Sequence, residues 1–157
     1  MKSSHILVVC TGNICRSPMA EGLLKHKLFE TFKDRVTVSS AGTDALHGNW
    51  ATDLAITAMQ GYGIDISSHR ARRLNRQMVS EAGLILAMEQ YHLKIIRSLR
   101  RFVNAKSFLL TEFDKFRTPY DVPDPIGGDL DLYIESAQLI NECLEGVNTY
   151  LKEKNES

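Results

Sequence analysis

Short apolar runs alternate along the chain with stretches in which apolar residues recur every three or four positions. His5 to Cys10 (H-I-L-V-V-C) is continuous and β-branched, the pattern of a strand buried on both faces. Ser17-Pro18 follows within a few residues; Ser can cap a helix and Pro is suited to its first position. Met19, Leu23, Leu24, Leu28 and Phe32 then keep helical spacing to about Lys33. Arg35 to Ala41 reads as a second strand, and Ala51 to Gly61 as a helix ended by Gly-Tyr-Gly. Gly83 to Ala87 is another buried strand, Glu89 to Arg100 a helix, and Ala105 to Leu110 a last strand. Thr118 to Gly128 is irregular and rich in proline and glycine. From Asp129 a long amphipathic helix carries Tyr133, Ala137, Ile140, Leu144, Val147 and Leu151 in alternating steps of four and three.

Strands alternating with helices predict the α/β class: a single domain over residues 1–157, three layers deep, with about four parallel strands and helices on both faces. The polar tail, 152–157, reads as frayed. In such folds ligands bind where strands end and helices begin, which directs attention to the turn after the first strand.

Composition narrows the options. The chain has 157 residues, enough for one core, and its 19 basic and 19 acidic side chains cancel. A zero balance argues against nucleic acid or a membrane surface as partner. No apolar run approaches the roughly 20 residues that span a bilayer, and the N-terminal run is too short for a signal-peptide core. Cys10, Cys15 and Cys143 are too few for a disulfide framework, so the expected compartment is the cytoplasm.

The turn itself reads C-T-G-N-I-C-R-S, from Cys10 to Ser17. Curled at a helix start, the backbone N–H groups from Thr11 onward can point at one centre and bind an anion. Gly12 lets the chain turn, and Asn13 tolerates a left-handed conformation and can tie the loop through its amide. Arg16 offers a planar fork for two phosphoryl oxygens. Cys10 lies beneath the same centre, where the helix end, Arg16 and the amides favour its thiolate, and Ser17 can donate a hydrogen bond to it. The product is a phosphate-binding loop with a nucleophile aimed at phosphorus. The C-x5-R spacing alone carries little; the buried strand before it and the helix start after it carry the weight.

The string V-C-T-G-N-I-C-R-S-P-M-A-E, Val9 to Glu21, resembles the low-molecular-weight protein tyrosine phosphatases. The resemblance extends to S-A-G-T at Ser40 to Thr43, H-R-A-R at His69 to Arg72, L-A-M-E at Leu86 to Glu89 and D-V-P-D-P at Asp121 to Pro125. It implies hydrolysis of phosphotyrosine in proteins through a phosphocysteine, with Cys10, Arg16 and Asp124 catalytic and Thr11 to Ser17 holding the phosphate. Read from the residues alone, Asp-Pro is a common turn pair. The resemblance makes Asp124 the general acid, with Asp121 and Asp129 the other candidates. No metal or cofactor is expected, since Arg16 and the amides supply the positive field and there is no H-E-x-x-H or C-x2-C. The implied partners are phosphotyrosine proteins, including a bacterial tyrosine kinase, with inorganic phosphate as product.

The resemblance also implies that Ser40 and His69 support the loop and that Cys10 and Cys15 form a reversible disulfide. Bland packing is the other reading of Cys15, and the only one for Cys143. Leu46, Trp50 and Ile126 fall where the family builds its substrate cleft, although Trp50 equally suits a core. Arg70, Arg72, Arg73 and Arg76 read as a solvated basic face, with attraction to an acidic phosphopeptide the alternative. Ile126-Gly127-Gly128 after Asp-Pro resembles instead the phosphoarginine phosphatase branch, which favours Thr where this chain has Ile14. Weighting Ile14 more heavily gives tyrosine, with arginine phosphatase as the alternative. Arsenate reductases need mid-chain cysteines, and positions 16–142 hold none. A dead phosphate-binding module would need to have lost the nucleophile, the Arg or the acid.

Overall fold

The five apolar residues after His5 build the central strand of a four-stranded parallel sheet. The computed structural model describes residues 4–114 and 120–156. The strands are β1 (Ser4–Cys10), β2 (Val36–Gly42), β3 (Leu84–Ala87) and β4 (Ser107–Leu109), in the order β2-β1-β3-β4. Val8 of β1 pairs in register with Ser40 of β2 on one side and Leu86 of β3 on the other. The five α-helices described are α1 (Arg16–Phe32), α2 (Asp53–Gln60), α3 (Arg76–Glu81), α4 (Gln90–Leu99) and α5 (Leu130–Glu156).

Alternation along β1 assigns its side chains to two cores. Ile6, Val8 and Cys10 point into the layer of α1, α2 and α5, with Met19, Leu24, Ile140 and Leu144. Leu7 and Val9 face the layer of α3 and α4, with Val79, Leu93 and Ile96. The chain winds from β1 outward to β2, then crosses back to β3 and outward to β4. The loop after β1 therefore sits where the strand order reverses, the usual ligand position in open α/β sheets.

Three details depart from the sequence reading. α5 continues through Lys152 to Glu156 as helix, where fraying was expected; Ser157 lies outside the described residues. The fourth strand is only Ser107–Leu109, because Asn104–Lys106 and Leu110–Phe113 are 3-10 turns. α3 was not foreseen. The irregular stretch expected over Thr118 to Gly128 has its first two residues outside the described ones, and no regular element occupies 120–128.

Candidate active site

The loop between β1 and α1 is fixed by Asn13, which is fully buried at φ 57°. Its Nδ2 donates to Ser17 Oγ at 2.8 Å and to Ser40 Oγ at 2.9 Å, while its Oδ1 accepts the Arg72 N–H at 3.0 Å. Both hydrogens and the acceptor are thus used, a satisfied network that pins one loop conformation. His69 Nε2 lies 2.7 Å from the Asn13 carbonyl oxygen, and Ser40 donates onward to Glu21 Oε1 at 2.6 Å. Arg72 Nε donates to the Ser40 carbonyl at 2.9 Å and its Nη2 to Ser39 Oγ at 2.7 Å. Arg72 is therefore part of the loop's frame and not of a solvated face; its neighbour Arg70 instead stacks on Trp50, with 3.7 Å from guanidinium carbon to ring centroid.

Ser17 does not cap α1. The cap position is Cys15, no side chain caps it, and the first turn holds no acid. This leaves the positive end of α1 open toward the loop's centre. Ser17 Oγ accepts from Asn13 and stands 2.9 Å from Cys10 Sγ, a distance at which its hydroxyl can donate to the sulfur. The Asn13 N–H also donates to that sulfur, at 3.3 Å. The Ser17 hydroxyl and this N–H are thus both placed to donate to the sulfur.

Arg16 is buried and oriented by groups from two segments. Its Nη1 forms an ion pair with Glu89 Oε2 at 2.7 Å and donates a hydrogen bond to the Val122 carbonyl at 2.7 Å. Asp124 Oδ2 stands 3.4 Å from Nη2, and its Oδ1 accepts the Ile126 N–H at 3.1 Å. The other two candidate acids are engaged as helix caps. Asp121 accepts from Gln90 N at 2.7 Å, and Asp129 from Leu132 N at 3.1 Å.

Cys10, Thr11, Gly12, Ile14, Cys15, Arg16, Asp124 and Ile126 together line a pocket of about 180 Å³. Leu46 and Trp50 do not line it. They are exposed on the 43–52 loop, which is anchored to the β1–α1 loop by Thr43 N to Cys10 O and Asp44 N to Thr11 O, both 2.9 Å, and by Thr52 N to Ile14 O at 2.9 Å. Trp50 is thus not a core residue. None of the three cysteines takes part in a disulfide. Cys15 Sγ lies 3.4 Å from Tyr133 Oη, and burial pushes its thiol up while burial first and the Cys15 contact next push Tyr133 up to about 12.

Glu89, Arg72 and His92 were missed as site residues. Glu89 ends the L-A-M-E string just past β3, an acid at a strand end beside the reversal point, which was the available signal. His92 is fully buried, with Nε2 2.8 Å from Thr11 Oγ1 and 3.7 Å from Glu89. Its Nδ1 has no hydrogen-bond partner among the described residues, so the tautomer with hydrogen on Nε2, donating to Thr11, avoids an orphaned donor.

A thiol at the end of the central strand of a doubly wound sheet, under a loop built to hold an oxyanion, defines the cysteine-dependent phosphatases. The model for the low molecular weight phosphotyrosine protein phosphatases matches residues 5–157, and the chain belongs to that family. It is 38% identical to the low molecular weight protein-tyrosine-phosphatase Ptp of Acinetobacter johnsonii, over 92% of this chain and 95% of that protein. It is 42% identical to the probable low molecular weight protein-tyrosine-phosphatase EpsP of Ralstonia nicotianae, over 89% of this chain and 90% of that one. Among solved structures, the YwlE arginine phosphatase of Geobacillus stearothermophilus superposes with a TM-score of 0.86 at 32% identity, covering 96% of this chain and 94% of its own.

Proposed function

We propose that this chain hydrolyses phosphotyrosine in proteins through a phosphocysteine at Cys10. The convergence of Cys10, Arg16 and Asp124 on one pocket of about 180 Å³ carries the reading. A phosphoryl group entering the loop takes the Nε–Nη2 edge of Arg16 and displaces Asp124 from it. The Cys10 sulfur attacks phosphorus in line, the P–O bond to the tyrosine oxygen breaks, and Asp124 gives that oxygen its proton. Arg16 and the amides at the start of α1 hold the equatorial oxygens throughout. Asp124, now a carboxylate, takes a proton from water as it attacks the phosphocysteine. Inorganic phosphate leaves, and the Ser17 hydroxyl stabilises the departing thiolate. Proteins bearing phosphotyrosine, a bacterial tyrosine kinase among them, are the proposed partners, and the cytoplasm, where thiols stay reduced, is the proposed setting.

Asp124→Asn tests the assignment of the acid. Turnover of phenyl phosphate, whose leaving group needs a proton, falls by about 10² to 10⁴, while p-nitrophenyl phosphate suffers much less. Equal losses on the two esters would remove Asp124 from the role.

Arginine phosphatase activity is the second reading. Ile126 in the pocket wall followed by Gly127-Gly128 favours it, as does the likeness to an arginine phosphatase; Ile14 in the same wall favours tyrosine. Matched phosphotyrosine and phosphoarginine peptides separate them, and a higher kcat/KM on phosphoarginine would overturn the tyrosine assignment.

A further inference from the structure

A second concave surface lies at the other end of the sheet. It is a depression of about 830 Å³ shared by α3, the end of α4 and the turn into β4. All strands are parallel, so the end where β3 and β4 begin is opposite the end that carries Cys10. α4 connects the two regions: Glu89 and His92 stand at its start, Arg97 and Arg100 at its finish. Its ten residues span about 15 Å.

Five cations line this depression, Arg76, Arg97, Arg100, Arg101 and Lys106, and its described lining contains no aspartate or glutamate. Several have structural partners. Arg97 Nη2 donates to the Ser107 carbonyl at 2.9 Å, Arg100 Nη2 to Ser80 Oγ at 2.8 Å, and Lys106 Nζ to the carbonyls of Val79 at 2.9 Å and Ala82 at 2.5 Å. These bonds satisfy hydrogens without neutralising charge. The Lys106 ammonium is pushed below its usual value by burial first and then by the charge of Arg100. In a chain of zero net charge, this is a local positive field.

Beside it stands Phe102, 94% exposed at φ 62°. Left-handed backbone is rare for a bulky side chain, and here it holds an aromatic ring in water. A solvent-facing aromatic next to arginines has the composition of an interface anchor.

We propose that this depression docks an acidic polypeptide segment of a partner protein, with an apolar side chain of that segment on Phe102. Overall neutrality and the gathering of these five cations around one depression favour a short acidic peptide over nucleic acid. Resting on the phosphatase reading above, the partner is a phosphoprotein substrate held at a second point, which raises the effective concentration of its phosphotyrosine at Cys10. The connecting segment must pass along the length of α4, so it needs at least about five extended residues.

Two experiments test this. Fluorescence anisotropy measures binding of a labelled Asp/Glu-rich peptide carrying one phenylalanine and no phosphate. The comparison is with Arg76→Gln/Arg101→Gln/Phe102→Gly, three exposed positions away from the chemistry. Glycine suits the backbone at position 102, so the variant keeps or raises the melting temperature and retains p-nitrophenyl phosphate turnover. Wild type binds, more weakly as salt rises, and the variant binds about tenfold less tightly or worse. In the second experiment, a phosphotyrosine peptide with an acidic block a dozen residues away shows a lower KM than one with the block replaced by Gly and Ser. Its kcat is the same, and the KM advantage disappears in the variant. Absent peptide binding, equal binding by the variant, or tighter binding of a single-stranded oligonucleotide or anionic vesicle would overturn the proposal. Peptide binding without phosphotyrosine hydrolysis would instead uphold docking and overturn the tyrosine reading.

Discussion

His92 shows how a single buried side chain couples this site to pH. Burial, the largest influence, lowers its pKa to about 4 from the usual 6.5, outweighing the opposing effect of Glu89; Arg16 adds to the lowering, while Asp121 and Asp124 oppose it. The folded form therefore binds this proton less readily than the unfolded chain, so stability is fully present above about pH 6.5 and is lost as pH falls toward about 4. The loss per pH unit is at most about 1.4 kcal/mol for one proton. Urea unfolding at stepped pH should show wild type weakening between pH 6.5 and 5, and His92→Gln with a shallower slope. Parallel slopes would show that another group titrates. Glu89→Gln tests orientation by charge: kcat/KM should fall by about 10- to 100-fold as Arg16 loses its anionic partner, and an unchanged kcat/KM would remove Glu89 from that role.

The elements of the fold are legible in the sequence to different degrees. β1, α1 and α5 carry long, consistent periodicities that tertiary contacts only reinforce, and their ranges fall within a few residues of expectation. α3 buries only Val79, so its six residues present no repeat to read. The site divides the same way. Cys10 to Ser17 is contiguous and visible as a string, whereas Glu89, His92 and Arg72 reach the loop from elsewhere, His92 bonding Thr11 across 81 positions. Gly42 belongs with these hidden contributors. A Cβ there would collide with the Thr11 carbonyl oxygen and sit 2.9 Å from Asn13 N, so only glycine lets the end of β2 press on the loop. Gly42→Ala should lower stability by roughly 1–3 kcal/mol in a denaturant titration and raise KM, through displacement of Thr11 and Asn13. An unchanged KM would separate that end of β2 from loop geometry.

At the scale of the whole molecule, a sheet with two cores holds one loop from both sides. Asn13 and Ser17 belong to the α1 side; His92 and Glu89 approach from the α4 side. Binding an oxyanion in the loop should therefore stabilise the entire domain. Phosphate or vanadate at about a hundred times its dissociation constant should add about 2.7 kcal/mol, read as a rise in melting temperature that Arg16→Lys largely abolishes. The same unity makes the chemistry at Cys10 the claim on which the account turns. Rapid acid quenching during turnover of a phosphotyrosine peptide, followed by mass spectrometry of the digested enzyme, tests it most directly. The account predicts phosphate on the peptide that contains Cys10. Phosphate on any other residue, or full turnover by Cys10→Ser, would contradict it.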